Sequence, residues 1–478
     1  MPTQLRDRLP AVHRRYTRPS TDNPKTIPEE PTFLKCFWIF REMLLQDPSM
    51  QNLGDSYRQR ALSRFPSGSN GEYGIPPELI PVIERGKGCR VTSSEGRDFL
   101  DMTMAWGAAL VGHAHSEVVE AASKQALLGA NFAAVNCRSV ELVERLHRIN
   151  PMLESIRLVA SGTEATMLCL RVALAATGRR KVLRFEGAYH GQHPVGVAGM
   201  LHGRPSALPS CDPAGAGAPW VEEDVLVASF NDPVQTEQVL RAHASELAAV
   251  IVEPLHRCLP PAPGFLQLLR SVTQELGVVL IFDEVVTGFR LALGGACEYY
   301  GVTPDLLAYG KALGGGFPIG AYGGRADLME VVEEHRLPGP RYVWSASTGG
   351  GNPVSSAAAL ATLDVLSREG VHPRLHALGH RLRSAMRQVL GEAGEVAQVL
   401  GDGPLAQVAF SAAPVVDQKS WLASDRVRGR LLMLQLLREG VFLNPMGTKL
   451  YLSLAHDERT IDEFSERLAR SLRALARS

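Results

Sequence analysis

The run Val278–Asp283 (VVLIFD) sets five apolar residues in a row and closes them with a carboxylate. That length and composition predict a strand buried in a sheet, with Asp283 at its exit. The pattern recurs through the middle of the chain. Ile156–Val159, Lys181–Phe185, Ala248–Glu253, Leu306–Tyr309 and Ile319–Gly324 read as further strands, and Glu164–Ala176 and Gly264–Leu276 as helices between them. Strands alternating with helices call for an α/β fold on a mostly parallel sheet. Upstream, Cys89–Thr92 and Arg97–Met102 read as a strand pair joined by Ser-Ser-Glu-Gly, with a helix over His113–Ala130. Downstream, a helix over Asn352–Arg368 leads to a mixed lobe with strands over Leu405–Phe410 and Lys449–Leu454. The expected division is an N-terminal extension (1–60), a first part of a smaller α+β domain (61–110), a large domain (111–368) and the C-terminal part of the smaller domain (369–478).

Composition narrows the function. The formal net charge of the 478 residues is +0, so no global field attracts nucleic acid or an anionic membrane. No apolar run approaches the roughly 18 residues that cross a bilayer. Seven cysteines without a CxxC pair point to a reducing cytoplasm rather than a disulfide framework, and no zinc motif such as HExxH is present. Arg6, Arg8, Arg14, Arg15 and Arg18 against Asp7 read as a mobile basic arm rather than a targeting peptide, and the apolar Phe33–Leu45 as a short docking helix.

The chemistry is concentrated around Asp283 and Lys311, which precedes Gly314, Gly315 and Gly316. An acid at a strand exit and a lysine ahead of a glycine-rich loop form the two-point grip that pyridoxal phosphate needs. The acid keeps the pyridine nitrogen protonated, and the lysine holds the aldehyde as a Schiff base, then moves a proton once displaced. Lys311 lies between LLAYG and ALGGG, an apolar setting that favours the neutral amine. Glu284, on the opposite face of the strand from Asp283, is the candidate for a purely structural acid. Ser161, Gly162 and Thr163 open a helix after a strand, which suits either a phosphate cup or a plain helix cap. Tyr189, ahead of His190 and Gly191, is a candidate to stack on a cofactor ring. Ser347–Pro353 (STGGGNP) is a second hydroxyl-and-glycine loop before a helix, suited to a phosphate oxygen or to helix entry alone.

Together SGTEA, FEGAYHG, IVEP, IFDEVVTGFR, GVTPDLLAYGKALGGGFPIGAYGG and TGGGNP resemble class III, fold-type-I pyridoxal phosphate enzymes. The similarity spans about residues 61–470 and is nearest to glutamate-1-semialdehyde aminomutases and aminotransferases derived from them. It implies that Lys311 is the Schiff-base lysine and Asp283 the pyridine partner. It implies that Ser161, Gly162 and Thr163 bind the phosphate, that Tyr189 stacks on the ring, and that Val285 or Val286 covers the other face. Thr348 would reach the phosphate of a neighbouring subunit in a homodimer. Trp106 falls at the substrate mouth and Glu253 beside the cofactor. Three departures concern the substrate. Gly71 and Gly74 stand where such aminomutases carry a carboxylate-binding serine and arginine, and Thr448 replaces a glutamate ahead of Ser453-Leu454-Ala455-His456. Arg257 enters a shortened loop after Glu253-Pro254, so that either it replaces the clamp or the substrate lacks a carboxylate there.

The expectation is therefore an aminotransferase with ping-pong chemistry between an amino donor and a specialised biosynthetic carbonyl acceptor, without nucleic-acid or membrane partners. An isomerase, either aminomutase or racemase, is the alternative. A catalytically silent fold is disfavoured by the presence of both Lys311 and Asp283.

Overall fold

A computed structural model describes residues 55–478, except 72–73, 201–206, 214, 336–340, 444–446 and 478. The docking helix expected over Phe33–Leu45 and most of the N-terminal extension lie outside the described residues. Strands β1 (Ile83–Lys87), β2 (Arg90–Ser93) and β3 (Asp98–Asp101) form an antiparallel meander. The helix expected from His113 begins later, at Ser116. His113 is held instead by paired backbone bonds to Gly88 (2.8 and 2.9 Å) and by its Nε2 to Asp101 Oδ2 (2.7 Å).

The central sheet comprises β4 (Ser155–Val159), β5 (Lys181–Phe185), β6 (Val225–Ala228), β7 (Leu247–Val252), β8 (Val279–Asp283), β9 (Leu306–Tyr309) and β10 (Gly320–Gly324). Their spatial order is β4-β10-β9-β8-β7-β5-β6. The pairs from β9 to β6 are parallel, and β10 runs antiparallel to both its neighbours. Period-two alternation divides the core between the two faces. Val250, Val252, Leu280, Phe282, Leu307 and Tyr309 face one apolar layer, together with residues of the helices Phe265–Leu276 and Pro353–Leu366. Ala249, Ile251, Val279, Ile281, Leu306 and Ala308 face the other, against the helix Gly162–Thr177.

The C-terminal third adds β11 (Gln398–Leu400), β12 (Leu405–Ala409), β13 (Val441–Phe442) and β14 (Lys449–Tyr451). β11, β12 and β14 form a three-stranded antiparallel sheet, while β13 pairs in parallel with β3. Residues from both ends of the described chain thus share one sheet.

Candidate active site

In a parallel sheet covered on both faces, the strand exits at the carboxyl edge are where side chains from several strands converge. Asp283 ends β8, Glu253 follows β7, Tyr189 and His190 follow β5, Ser161 follows β4, and Lys311 follows β9. The backbone alternation separates the two adjacent acids. Asp283 continues the face of Val279 and Ile281, beneath the start of helix Gly162–Thr177, whereas Glu284 turns to the opposite side.

The buried Asp283 accepts from His190 Nδ1 through Oδ2 (2.8 Å) and from the Val285 amide through Oδ1 (3.0 Å). Each carboxylate oxygen retains a further lone pair, the requirement for holding a pyridinium N–H. Behind it, the His190 carbonyl accepts from His193 Nε2 (3.0 Å) and from the Thr166 hydroxyl. Gly196 N–H donates to His193 Nδ1 (3.1 Å), which fixes the proton of that ring on Nε2. Burial pushes His193 down to about 4, so it stays neutral. Glu284 is fully buried and accepts from the Ala296 and Cys297 amides (2.7 and 2.8 Å) and the Thr287 hydroxyl (2.8 Å). It ties down the turn at Gly295–Tyr300 and has no part in the site.

The Ser161 hydroxyl caps its helix by accepting from Glu164 N–H (3.2 Å), so the Gly162 and Thr163 amides remain at the helix start without intrahelical acceptors. A Cβ on Gly162 would meet both methyls of Val285 at 2.8 Å, and one on Gly310 would meet Gly162 Cα at 3.1 Å. Only bare backbone lets the segment entering Lys311 and the half-buried Val285 approach this helix start. Gly191, two residues past Tyr189, lies so close to this helix start that a Cβ there would meet Thr163 Cα at 2.8 Å. This cradle of free amides, hydroxyls and glycine, with an acid and a lysine alongside, fits the phosphate, ring nitrogen and aldehyde of pyridoxal phosphate.

Lys311 has a left-handed backbone (φ +42°) at the start of the short turn Lys311–Gly314. Burial pushes its ammonium down to about 8, against the pull of Asp283. Glu253 accepts from the Tyr189 amide (2.8 Å) and the Arg257 amide (3.1 Å). Burial raises the Glu253 carboxyl, but surrounding positive charge, that of Arg257 foremost, brings it down to about 2. Arg257, also left-handed (φ +59°), donates Nε to the Gly187 carbonyl (3.0 Å) and faces the Tyr189 ring at 5.9 Å.

Met104, Ala105, Trp106 and Gly107 form a left-handed turn with φ of +47°, +53°, +59° and +85°. Such a conformation costs roughly 1–2 kcal/mol per L-residue, so it needs bracing. Asp101 Oδ1 accepts from the Thr103 and Met104 amides (2.7 and 2.9 Å), and Arg290 donates to the Gly107 carbonyl. The Tyr451 ring fills the space where a Gly107 Cβ would lie, 2.7 Å from Cδ1. Gly74 is left-handed too (φ +57°), and its carbonyl accepts from Arg430. The Thr448 hydroxyl donates to the Val408 carbonyl (2.6 Å). Thr348 is exposed, and its carbonyl accepts from Asn131 (2.7 Å).

Three contributors escaped the sequence reading: the Asp283–His190 bond, the bracing of the Trp106 turn from β14, and the buried Lys449. The YHG signal flagged His190 only as a neighbour of Tyr189, and no local pattern marks the other two. His372 and His376, four apart on the helix Val371–Glu392, have metal-pair spacing, but their Nε2 atoms meet the Phe289 and Leu291 carbonyls (3.2 and 2.6 Å). Among the described residues, no group of three His, Cys, Asp or Glu is arranged to hold a metal ion, and no helix is long and apolar enough to cross a membrane.

A sheet of this order, with an acid, a lysine and a helix start converging at its carboxyl edge, defines a fold-type-I pyridoxal phosphate enzyme. The chain belongs to the class III aminotransferases, since residues 76–472 match the family described as "Aminotransferase class-III". It is 39% identical over 439 residues to a glutamate-1-semialdehyde 2,1-aminomutase of Thermomicrobium roseum, covering 90% of this chain and 99% of that protein. Among solved structures it is similar to an omega-transaminase from Sphaerobacter thermophilus (TM-score 0.84, 33% identity, 90% of this chain and 100% of that one). It is also similar to a β-phenylalanine aminotransferase from Variovorax paradoxus (TM-score 0.80, 27% identity, 93% and 98%).

Proposed function

We propose that this enzyme is an aminotransferase that moves an amino group from a donor molecule to the carbonyl of a separate acceptor. The observation that carries the reading is the pair Gly71 and Gly74. They stand where the aminomutases this chain resembles carry a serine and an arginine, and the Gly74 carbonyl is occupied by Arg430. When bound, pyridoxal phosphate carries the amino group and draws electrons from the carbon it leaves. Lys311 fastens the cofactor and, once released, moves a proton on and off the substrate carbon. Asp283, steadied by His190, holds the ring nitrogen. Ser161, Gly162 and Thr163 receive the phosphate, and Tyr189 and Val285 close on the two faces of the ring. Trp106, Glu253 and Arg257 line the substrate side.

We assign Thr348 to the phosphate site of a partner subunit in a homodimer. Its exposure supports this, as does the apolar surface of Leu127, Leu128, Phe132 and Val135 on the segment that includes Asn131, its hydrogen-bond partner. The division into a large domain (111–368) and a smaller one (61–110 and 369–478) follows the sheets, and the six free cysteines among the described residues suit a reducing cytoplasm.

Holoenzyme mixed with an amino donor alone is expected to release one equivalent of keto product while its visible cofactor absorbance falls. The identity to aminomutases favours a second reading, in which the amino group returns to the same skeleton. Isomerisation of glutamate-1-semialdehyde without added donor, and no keto product from any donor, selects that reading.

A further inference from the structure

An acid in the first turn of a helix is ordinarily a capping group. Glu164, in the first turn of the helix Gly162–Thr177, does cap. Its amide donates to the Ser161 hydroxyl (3.2 Å), and its Oε2 accepts from the Ala160 amide (3.2 Å). Capping does not account for a third bond. The same Oε2 accepts from the hydroxyl of Ser347 (2.7 Å), 183 residues away in the chain. Ser347 opens the loop that carries Thr348. That loop lies against the end of β4, where a Cβ on Gly350 would meet the Leu158 carbonyl oxygen at 2.6 Å. Beyond Ser347 the loop is held by its backbone. The carbonyls of Thr348, Gly349 and Gly351 accept from the side-chain amides of Asn131, Asn352 and Asn136 (2.7, 2.8 and 2.8 Å). The chain is thus fixed on both sides of Thr348, whose own side chain is exposed and whose hydroxyl has no hydrogen-bond partner among the described residues. One carboxylate therefore joins two hydroxyl-bearing segments, the helix start at Ser161–Thr163 and the loop at Ser347–Thr348. A loop ordered in advance loses little further freedom when its ligand arrives, so the benefit of this bond falls on the group that the loop receives.

We infer that Glu164 is a positioning residue for the cofactor phosphate. Through Ser347 it holds Thr348 in register with the helix start at Ser161–Thr163, so that each chain presents both phosphate-binding segments as one unit, the helix start to its own site and Thr348 to that of the partner subunit. The inference rests on the phosphate roles proposed above and deepens them. Glu164 and Ser347 are assigned no contact with the phosphate itself.

The test titrates cofactor-free enzyme with pyridoxal phosphate and, separately, with pyridoxal, which offers the same ring and aldehyde without the phosphate. Binding is followed by absorbance. Ser347→Ala removes only the link between the loop and Glu164. It should weaken binding of pyridoxal phosphate about tenfold, the scale of a hydrogen bond to a charged group, and leave pyridoxal within about twofold. A merely structural loss would weaken both. Glu164→Gln, whose single acceptor oxygen replaces two, should show the same split to a smaller degree. In a Thr348→Ala background, Ser347→Ala should add at most about a twofold loss, because it acts through Thr348. An unchanged ratio of the two affinities in a Ser347→Ala protein with the wild-type melting temperature overturns the inference. So do equal losses for both ligands in Ser347→Ala and Glu164→Gln, or fully additive losses in the double variant. Wild-type enzyme that binds pyridoxal as tightly as pyridoxal phosphate instead overturns the underlying phosphate assignment.

Discussion

The two walls of the candidate site are built differently. The near wall consists of strand exits from one sheet: Asp283, Glu253, Tyr189, Ser161 and Lys311 each follow a strand of the same layer. The far wall is a left-handed turn at Met104–Gly107 braced by Tyr451 and Arg290, segments separated widely in the chain. The near wall is regular secondary structure, and in the proposed function it carries the chemistry. The far wall is irregular, strained and supported from a distance, and in that proposal it faces the substrate.

If the near wall carries the chemistry, its lysine is the most sensitive point. Lys311→Ala is expected to abolish the visible absorbance of bound cofactor and lower turnover by at least about 10³-fold, measured with saturating cofactor. Asp283→Asn keeps the shape but not the charge. Turnover should fall about 10²-fold or more with the melting temperature nearly unchanged. A smaller effect follows from the depression of Lys311 to about 8. Below that pH the ammonium form dominates and cannot attack an aldehyde. Cofactor capture by the apo-enzyme should therefore accelerate about tenfold per pH unit and level off above pH 8, followed by stopped-flow absorbance. The cofactor-free protein should also gain stability as pH rises from about 8 towards the ordinary lysine value, because in that window only the unfolded chain holds the proton. The mildest probe is the residue next to Asp283. Glu284→Ala leaves two buried amides unpaired and should reduce stability by about 1–3 kcal/mol in chemical denaturation, with turnover per folded molecule retained. A large loss of turnover there would remove the distinction between the two adjacent acids.

The sequence was most legible where local patterns decide the structure. Lys181–Phe185 and Leu306–Tyr309 have the same bounds in sequence and structure, and Val278–Asp283 differs by one residue, because apolar runs between helices leave few alternatives. Period-two alternation also separates Asp283 from Glu284 before any coordinates are known. Strand β6 (VLVA) was missed, and the helix Arg426–Arg438 and the amphipathic helix Glu458–Arg477 were read only as a mixed lobe. Lys449 is the instructive omission. A lysine at the start of a strand normally reads as solvated, yet this one is buried with its Nζ 5.0 Å from the Tyr451 ring, a placement that no spacing encodes.

The bracing of residues 104–107 also bears on biosynthesis. A ribosome delivers the turn long before it delivers Tyr451, and β3 likewise waits for Val441–Phe442 to complete its sheet. The nascent chain can assemble the central sheet before this turn gains its support, which comes only once Tyr451 has emerged. A chain cut before Lys449 would therefore lack this brace, even with Asp283 and Lys311 both present.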